Sequence, residues 1–171
     1  MEQLSKAGEC LDAKALCMAT AYVMVGFAGA GKTTLARRLA AEKGAIRFTP
    51  DEWMESLFAD SLPHDDFSLF FGRVCSLVWD VASQLLLQGQ DVVLDIGFWT
   101  FESREHARAR IAQLGAKAEL IFVDCDEDLL IERLMNRRSV LWSSPEIVRE
   151  RLSTFERPRQ DEVHSVVDTN S

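Results

Sequence analysis

Gly26-Phe27-Ala28-Gly29-Ala30-Gly31-Lys32-Thr33-Thr34 is the stretch that decides how this chain is read. It follows the apolar run Tyr22-Val23-Met24-Val25 and precedes Leu35-Ala36-Arg37-Arg38-Leu39-Ala40-Ala41, a helix-forming segment. The pattern is G-x-x-x-x-G-K-[ST], a loop whose backbone N–H groups wrap phosphate oxygens between a strand and a helix. Gly26, Gly29 and Gly31, with the small Ala28 and Ala30 between them, let the backbone turn sharply and approach an anion closely. Lys32 supplies a mobile cation for β- and γ-phosphates, and Thr33 supplies a hydroxyl for Mg²⁺. Thr34 opens the helix, whose N-terminal partial charge also favours anions.

Working outward, strand one covers Ala21–Val25, and residues 1–20 form an extension with at most a short helix over Leu11–Ala19. The phosphate loop leads into a helix from Lys32 to about Lys43, with Gly44 as its C-cap. Ala45–Thr49 is strand two, and Pro50 starts a helix with Asp51 and Glu52 in its first turn. Trp53, Met54, Leu57 and Phe58 share a face of that helix and are expected in the core. A loop over Ser61–Asp66 precedes a long helix, Phe67–Leu87, with apolar residues Phe70, Phe71, Val74, Leu77, Val78, Val81 and Leu85 at helical spacing.

Strand three, Asp91–Ile96, is followed by a helix over Phe101–Leu114 with Thr100 as N-cap, then strand four, Ala118–Val123. A helix over Asp126–Arg137 and a break at Ser139–Ser144 come next, and Ser144-Pro145 starts a helix reaching Phe155. Val163–Val167 is a candidate fifth strand. Strands alternating with helices predict an α/β fold, a parallel sheet covered on both faces, in one domain over 21–171 with a lid around 133–144. Ligands of such sheets bind beyond the carboxyl ends of the strands. Besides the loop, the residues just past those ends are Thr49–Asp51, Asp95–Phe98, Asp124 and Asp168–Thr169, so carboxylates gather where phosphates and a metal would lie.

Composition narrows the partners. The 171 residues carry a formal net charge of −8, which argues against a partner held mainly through nucleic-acid phosphates. Cys10, Cys17, Cys75 and Cys125 form no C-x-x-C pair and read as reduced cytosolic thiols, which places the chain in the cytoplasm. His64, His106 and His164 share no ligand spacing. No stretch is expected to cross a bilayer, and no signal-peptide core is visible at the N-terminus.

Within the site, Asp95 is the candidate carboxylate for Mg²⁺ or its water shell, and Asp51 the candidate general base for an acceptor hydroxyl. A bare helix start would explain Asp51 equally well. Arg133 and Arg137 lie four apart on one predicted helix and could close over phosphates, with Arg138 beside them.

The segments GFAGAGKTTLARRLA, TPDEW, DVVLDIGFW and LIERLMNRR together resemble small P-loop kinases of the "AAA domain" or zeta-toxin-like ATP-binding family. Polynucleotide 5′-hydroxyl kinase and chloramphenicol phosphotransferase are relatives of that family. The resemblance, over Tyr22 to Phe155, implies a three-layer α/β/α fold with five parallel strands in the order 2-3-1-4-5. It also implies ATP-dependent transfer of the γ-phosphoryl group to a hydroxyl. It places Asp51 as base, Asp95 at the end of strand three, Arg137 as the lid arginine with Arg133 one turn before, and Arg104 at a position often occupied by arginine. Polynucleotide kinases carry an arginine three residues after the base, where this chain has Met54. With the acidic charge, that points away from nucleic acid, and Trp53, Phe98 and Trp99 suggest an apolar or ring-shaped small-molecule hydroxyl acceptor. The alternatives are a regulatory ATPase or switch that transfers only to water, and a nucleotide or polynucleotide kinase. A GTPase is disfavoured because no N-K-x-D or T-K-x-D base-reading motif occurs.

Overall fold

Strand β1, Thr20–Val25, is buried along nearly its whole length and lies at the centre of the sheet. The computed structural model describes residues 18–58, 66–137, 140–162 and 165–170. The other elements follow in chain order as α1 (Lys32–Lys43), β2 (Ile46–Phe48), α2 (Pro50–Phe58), α3 (Phe67–Leu87), β3 (Val92–Gly97) and α4 (Phe101–Gln113). They continue with β4 (Lys117–Asp124), α5 (Glu127–Met135), a 3₁₀ turn (Val140–Trp142), α6 (Pro145–Leu152) and β5 (Ser165–Asp168). The five strands run in the order β2-β3-β1-β4-β5, with every pairing parallel. This is the order implied by the family resemblance.

Alternation along the central strand sorts the two faces. Ala21, Val23 and Val25 point to one side, where Val78, Ala82 and Leu86 of α3 and Ile111 of α4 cover them. Tyr22 and Met24 point to the other, packed with Ala36 of α1, Leu130 and Leu134 of α5 and Val148 of α6. Such near-continuous apolar strands are what a doubly covered parallel sheet requires. The helix starts follow the expected chemistry: Thr100 and Ser103 form a reciprocal capping box, and the Ser144 hydroxyl accepts the Ile147 N–H ahead of Pro145.

Several boundaries and faces differ from expectation. Helix α5 ends at Met135, so Arg137 lies in the turn beyond it and shares no helix face with Arg133. Helix α6 stops at Leu152, and strand β3 extends through Gly97. Leu57 on α2 and Leu77 and Val81 on α3 are exposed, because α3 turns Val74, Val78, Ala82 and Leu86 inward instead. Helix α3, at 21 residues and mean hydropathy 1.3, is long and apolar enough by length and composition to cross a membrane, contrary to the sequence reading. Its inner face belongs to the sheet core, and Arg73 and Asp80 interrupt the outer one. The N-terminal helix, His64, His164, Cys10, Cys17, Arg138 and the start of the predicted fifth strand lie outside the described residues.

One buried ion pair ties the C-terminal segment to this frame. The Arg104 Nε donates to Glu162 Oε2 at 2.6 Å, and Nη1 donates to the carbonyls of Glu156 (2.9 Å) and Phe98 (3.3 Å). Arg104 and Glu162 are only 1% and 2% exposed. Burial alone would raise the Glu162 carboxyl pKa, but the hydrogen bonds from Arg104 and the Arg159 N–H, with the nearby guanidinium charges, hold it below its ordinary value. A carboxyl lowered in this way stabilises the fold above its unfolded pKa, and that contribution is lost as pH falls through the folded value. Glu162→Gln, which leaves Arg104 without its counter-charge, is expected to cost about 3–5 kcal/mol in urea unfolding at pH 7. The difference from wild type should shrink below about pH 4, where an unfolded-state glutamate is largely protonated.

Candidate active site

The loop between β1 and α1 is shaped by close backbone approach. Gly26, at φ 149°, has no room for a side chain, since a Cβ there would lie 2.6 Å from the Val123 carbonyl. Gly31 takes the left-handed φ of 94° as the N-cap of α1. Both motif glycines are therefore required by geometry. Thr169, beyond β5, props the loop from behind: its hydroxyl lies 2.9 Å from the Ala30 carbonyl.

Three side chains converge at the mouth of the loop. The Thr33 hydroxyl donates to Asp95 Oδ2 at 2.7 Å, and the Thr49 hydroxyl reaches the same oxygen at 3.1 Å. Lys32 Nζ donates to the Phe27 carbonyl at 2.8 Å. Burial pushes the Lys32 pKa down, against the upward pull of Asp95 and then Asp51, while Arg137 lowers it further. Asp51, on the first turn of α2, stands across the cleft. Its carboxyl pKa is raised by enclosure within the cleft walls and by Asp95, and drawn back by Lys32 and Arg137. Mutual influence among Lys32, Asp51, Asp95 and Arg137 brings together in one electrostatic cluster four of the residues singled out from sequence.

A cavity of 2150 Å³ includes Ala28, Gly29, Gly31, Lys32, Thr33, Thr34, Asp51, Asp95 and Arg137 in its lining. A second, of 650 Å³, lies on the other side of the loop between Arg133, Asn136, Arg137, Asp168 and Thr169. Arg137 borders both. Arg133 bridges the loop to the segment after β5, donating to the Thr169 carbonyl at 2.9 Å and the Gly29 carbonyl at 3.4 Å.

Other expectations are corrected. Asp124 lines neither cavity, because its carboxylate is turned to Arg157 and to the Cys125 N–H. Trp53 packs edge-on against Phe48, with ring centroids 6.0 Å apart, and does not line the cleft, whereas Phe98 and Trp99 do. Arg104, at the position the resemblance singled out, is buried against Glu162. Thr49 was placed just past a strand end by the sequence, with no role of its own. It is 2% exposed at a strand end, and its hydroxyl is held by Arg47 Nη1, whose other nitrogen pairs with Glu52 at 2.8 Å. The threonine in TPDE, immediately before the proline and at the carboxyl end of a strand, was the available signal.

The oxygen donors also suit a hard cation. Thr33 and Asp95 present a hydroxyl and one carboxylate, the sparse protein set that Mg²⁺ accepts because it keeps several waters. No group of three or more His, Cys, Asp or Glu side chains able to hold a metal occurs among the described residues. Mg²⁺ needs none.

Fold and loop together define a P-loop α/β domain with a carboxylate facing the loop. Residues 22–161 match a protein family described as "AAA domain", and the chain belongs to it. A shikimate kinase from Bradyrhizobium diazoefficiens is 32% identical over 124 residues, covering 70% of this chain. The aligned part spans only 55% of that relative's length. Among solved structures, a kinase candidate from Chloroflexus aurantiacus superposes with a TM-score of 0.70 at 19% identity, over 91% of this chain and 86% of its own. A component of the Pnkp1/Rnl/Hen1 RNA repair complex reaches 0.62 at 20% identity, over 82% of this chain and 47% of its own. Both share the fold.

Lys32→Ala removes the cation held inside the loop. It is expected to lower kcat/KM for nucleotide-dependent turnover by about 10²–10³-fold, the scale for losing one preorganised contact to developing charge. Steady-state kinetics with a binding titration of nucleotide would check it, and turnover like wild type would contradict the loop's role.

Proposed function

We propose that the chain is an ATP-dependent kinase that transfers the γ-phosphoryl group to a hydroxyl of a small-molecule acceptor. The observation that carries this reading is Asp51. None of the described residues donates a hydrogen bond to its carboxylate, which opens into the cleft opposite Lys32, Thr33 and Asp95. A helix cap would be tied to the first backbone N–H groups. A general base must instead stay available to a substrate proton.

In this reading the loop N–H groups and Lys32 cradle the β- and γ-phosphates, and Arg137 approaches them from the turn after α5. Thr33 and Asp95 would hold Mg²⁺, which would supply positive charge to offset that of the phosphates. Asp51 accepts the proton of the acceptor hydroxyl. The acceptor oxygen forms its bond to Pγ as the bridging bond from Pγ to the β-phosphate oxygen breaks, and ADP leaves with that electron pair. The nucleoside is assigned to the smaller cavity beside Arg133, Asn136 and Thr169, which leaves the larger one for the acceptor.

The polynucleotide reading is less well supported. Met54, three residues after Asp51, is 4% exposed and apolar where a phosphate-binding arginine would be needed. The name of the curated relative, shikimate kinase, favours a small alcohol. A switch that transfers only to water would have no use for an open carboxylate beside so large a cavity.

Asp51→Asn tests the assignment. It is expected to retain ATP binding and to lose transfer by about 10²–10⁴-fold, the usual contribution of a positioned base. The base works as the carboxylate, so the wild-type rate should rise with pH through a pKa above the ordinary 3.8, an acid limb absent from the variant. A raised carboxyl also makes the folded state lose stability as pH climbs through that window. The same variant should therefore unfold at a higher temperature than wild type at pH 7. Undiminished transfer to any acceptor would remove Asp51 from the mechanism, and ADP release that no acceptor raises above the rate with water would favour the switch.

A further inference from the structure

The acceptor side of the cleft is far larger than a single sugar ring requires, and its walls have a definite chemistry. From Asp51 it continues as a groove between α3 and α4, which run side by side on one face of the sheet. Ser103 and Gln113 both line it, and ten residues of helix at about 1.5 Å each make the groove about 15 Å long. Its apolar lining near Asp51 comes from Met54, Phe58, Phe67, Phe71 and Phe98. Phe67 and Phe71 stack on each other, with centroids 5.6 Å apart and planes 16° from parallel, and both stay half-buried at the cleft wall. Half-exposed stacked rings offer a flat apolar face to a ligand.

The charges are as informative. The acids on this side are Asp51 and Glu55, and the other polar lining includes Ser68, Ser103, Gln113 and His106. Among the described residues that line it, the cations beyond the phosphate site are Arg110 and Arg151. Arg110 lies over the Trp79 ring at 4.8 Å and 3.5 Å from Asp80, and Arg151 lies over Trp142 at 4.9 Å. Neither stands beside Asp51 as a free guanidinium. A carboxylate or phosphate close to the reacting hydroxyl would therefore lie beside two acids, with Arg110 and Arg151 already engaged by Trp79, Asp80 and Trp142, a costly burial.

We propose that the acceptor is an uncharged alcohol with an extended aromatic or alicyclic body, its hydroxyl at Asp51 and its body along the groove between α3 and α4. The proposal rests on the kinase reading above and narrows it to a class that excludes hydroxy acids and phosphorylated sugars. The Phe67–Phe71 stack holds the ring system, and Ser103 and Gln113 of α4 take its remaining polar groups.

The test is a transfer assay with ATP and Mg²⁺ in which phosphorylated product is measured by mass spectrometry. The panel consists of neutral aryl and alicyclic alcohols, the hydroxy acids shikimate and gluconate, glucose 6-phosphate, and a 5′-hydroxyl oligonucleotide. Neutral ring-bearing alcohols should give kcat/KM at least about 100-fold above the hydroxy acids, in keeping with discrimination by a site without the partner an extra charged group needs. Phe71→Ala should raise the KM of the best ring-bearing alcohol about tenfold with little change in kcat, and Phe71→Leu should give a smaller rise. A preference for a hydroxy acid, glucose 6-phosphate or the oligonucleotide would overturn the acceptor class while leaving the kinase reading in place. No phosphorylated product from any compound would overturn both. An unchanged KM in both Phe71 variants, with product formed, would remove the aromatic stack from acceptor binding.

Discussion

A buried carboxylate is tolerated only when its oxygens are met by donors, and Asp95 shows what that requirement organises. It is 3% exposed at the end of β3 and receives hydroxyls from Thr33 of α1 and Thr49 beyond β2. Three segments separated in sequence are thus fixed to one oxygen atom. The parallel register makes this possible: β1 lies between β3 and β4, and β2 pairs with β3 from Ile46 to Phe48. The carboxyl ends of β1, β2 and β3 therefore open on the same side. The phosphate loop, Thr49 and Asp95 meet because the strands end together, and Asp51 follows two residues after Thr49.

A second set of contacts holds the acceptor side. Phe98 is the described non-glycine residue with a left-handed backbone, φ 45°, and it follows Gly97 at φ 106°. That conformation persists where surroundings enforce it. Here the Phe98 carbonyl is held by Arg104, whose guanidinium is itself locked by Glu162. The turn that carries Phe98 and Trp99 into the cleft is thereby tied to a residue 58 positions from Arg104 in sequence. The buried ion pair acts on the shape of the cleft without touching it.

What could be read from sequence follows from how local the signal is. The phosphate loop, its flanking strand and helix, and the Thr100 and Ser144 caps depend on neighbouring residues, and each is found where its residue types place it. The positions of Asp51 and Asp95 were legible because the carboxyl ends of parallel strands open on one side, although Asp124 shows that an acid there can also turn to a neighbour. The role of Arg104 was not, since its partner arrives from another part of the chain. The inward face of α3 was misjudged for a related reason: Leu77 and Val81 are as apolar as Val78 and Ala82, and only the neighbouring helices decide which pair is covered. Thr49 was placed at a strand end, but its contact with Asp95 was not legible because a threonine there carries no distinctive charge.

The distribution of charge around Asp51 connects these features to chemistry. Lys32 and Arg137 face it from the phosphate side, and Asp95 adds a second negative charge nearby. Enclosure and Asp95 raise the carboxyl's pKa, while the two cations limit the rise, so the group stays basic enough to take a proton and charged enough to hold its place. Among the described residues, the wall opposite is mainly apolar close to Asp51, with Glu55 as its acid. Phe67, Phe71 and Phe98 surround the approach with apolar surface and lower the local polarisability of solvent, which strengthens each remaining electrostatic contact at the reacting end. In the proposed kinase reading, a polar phosphate site and a more apolar acceptor site are therefore complementary halves of one cleft. Asp51 would then mark the boundary at which a hydroxyl, uncharged yet able to give up a proton, can belong to both.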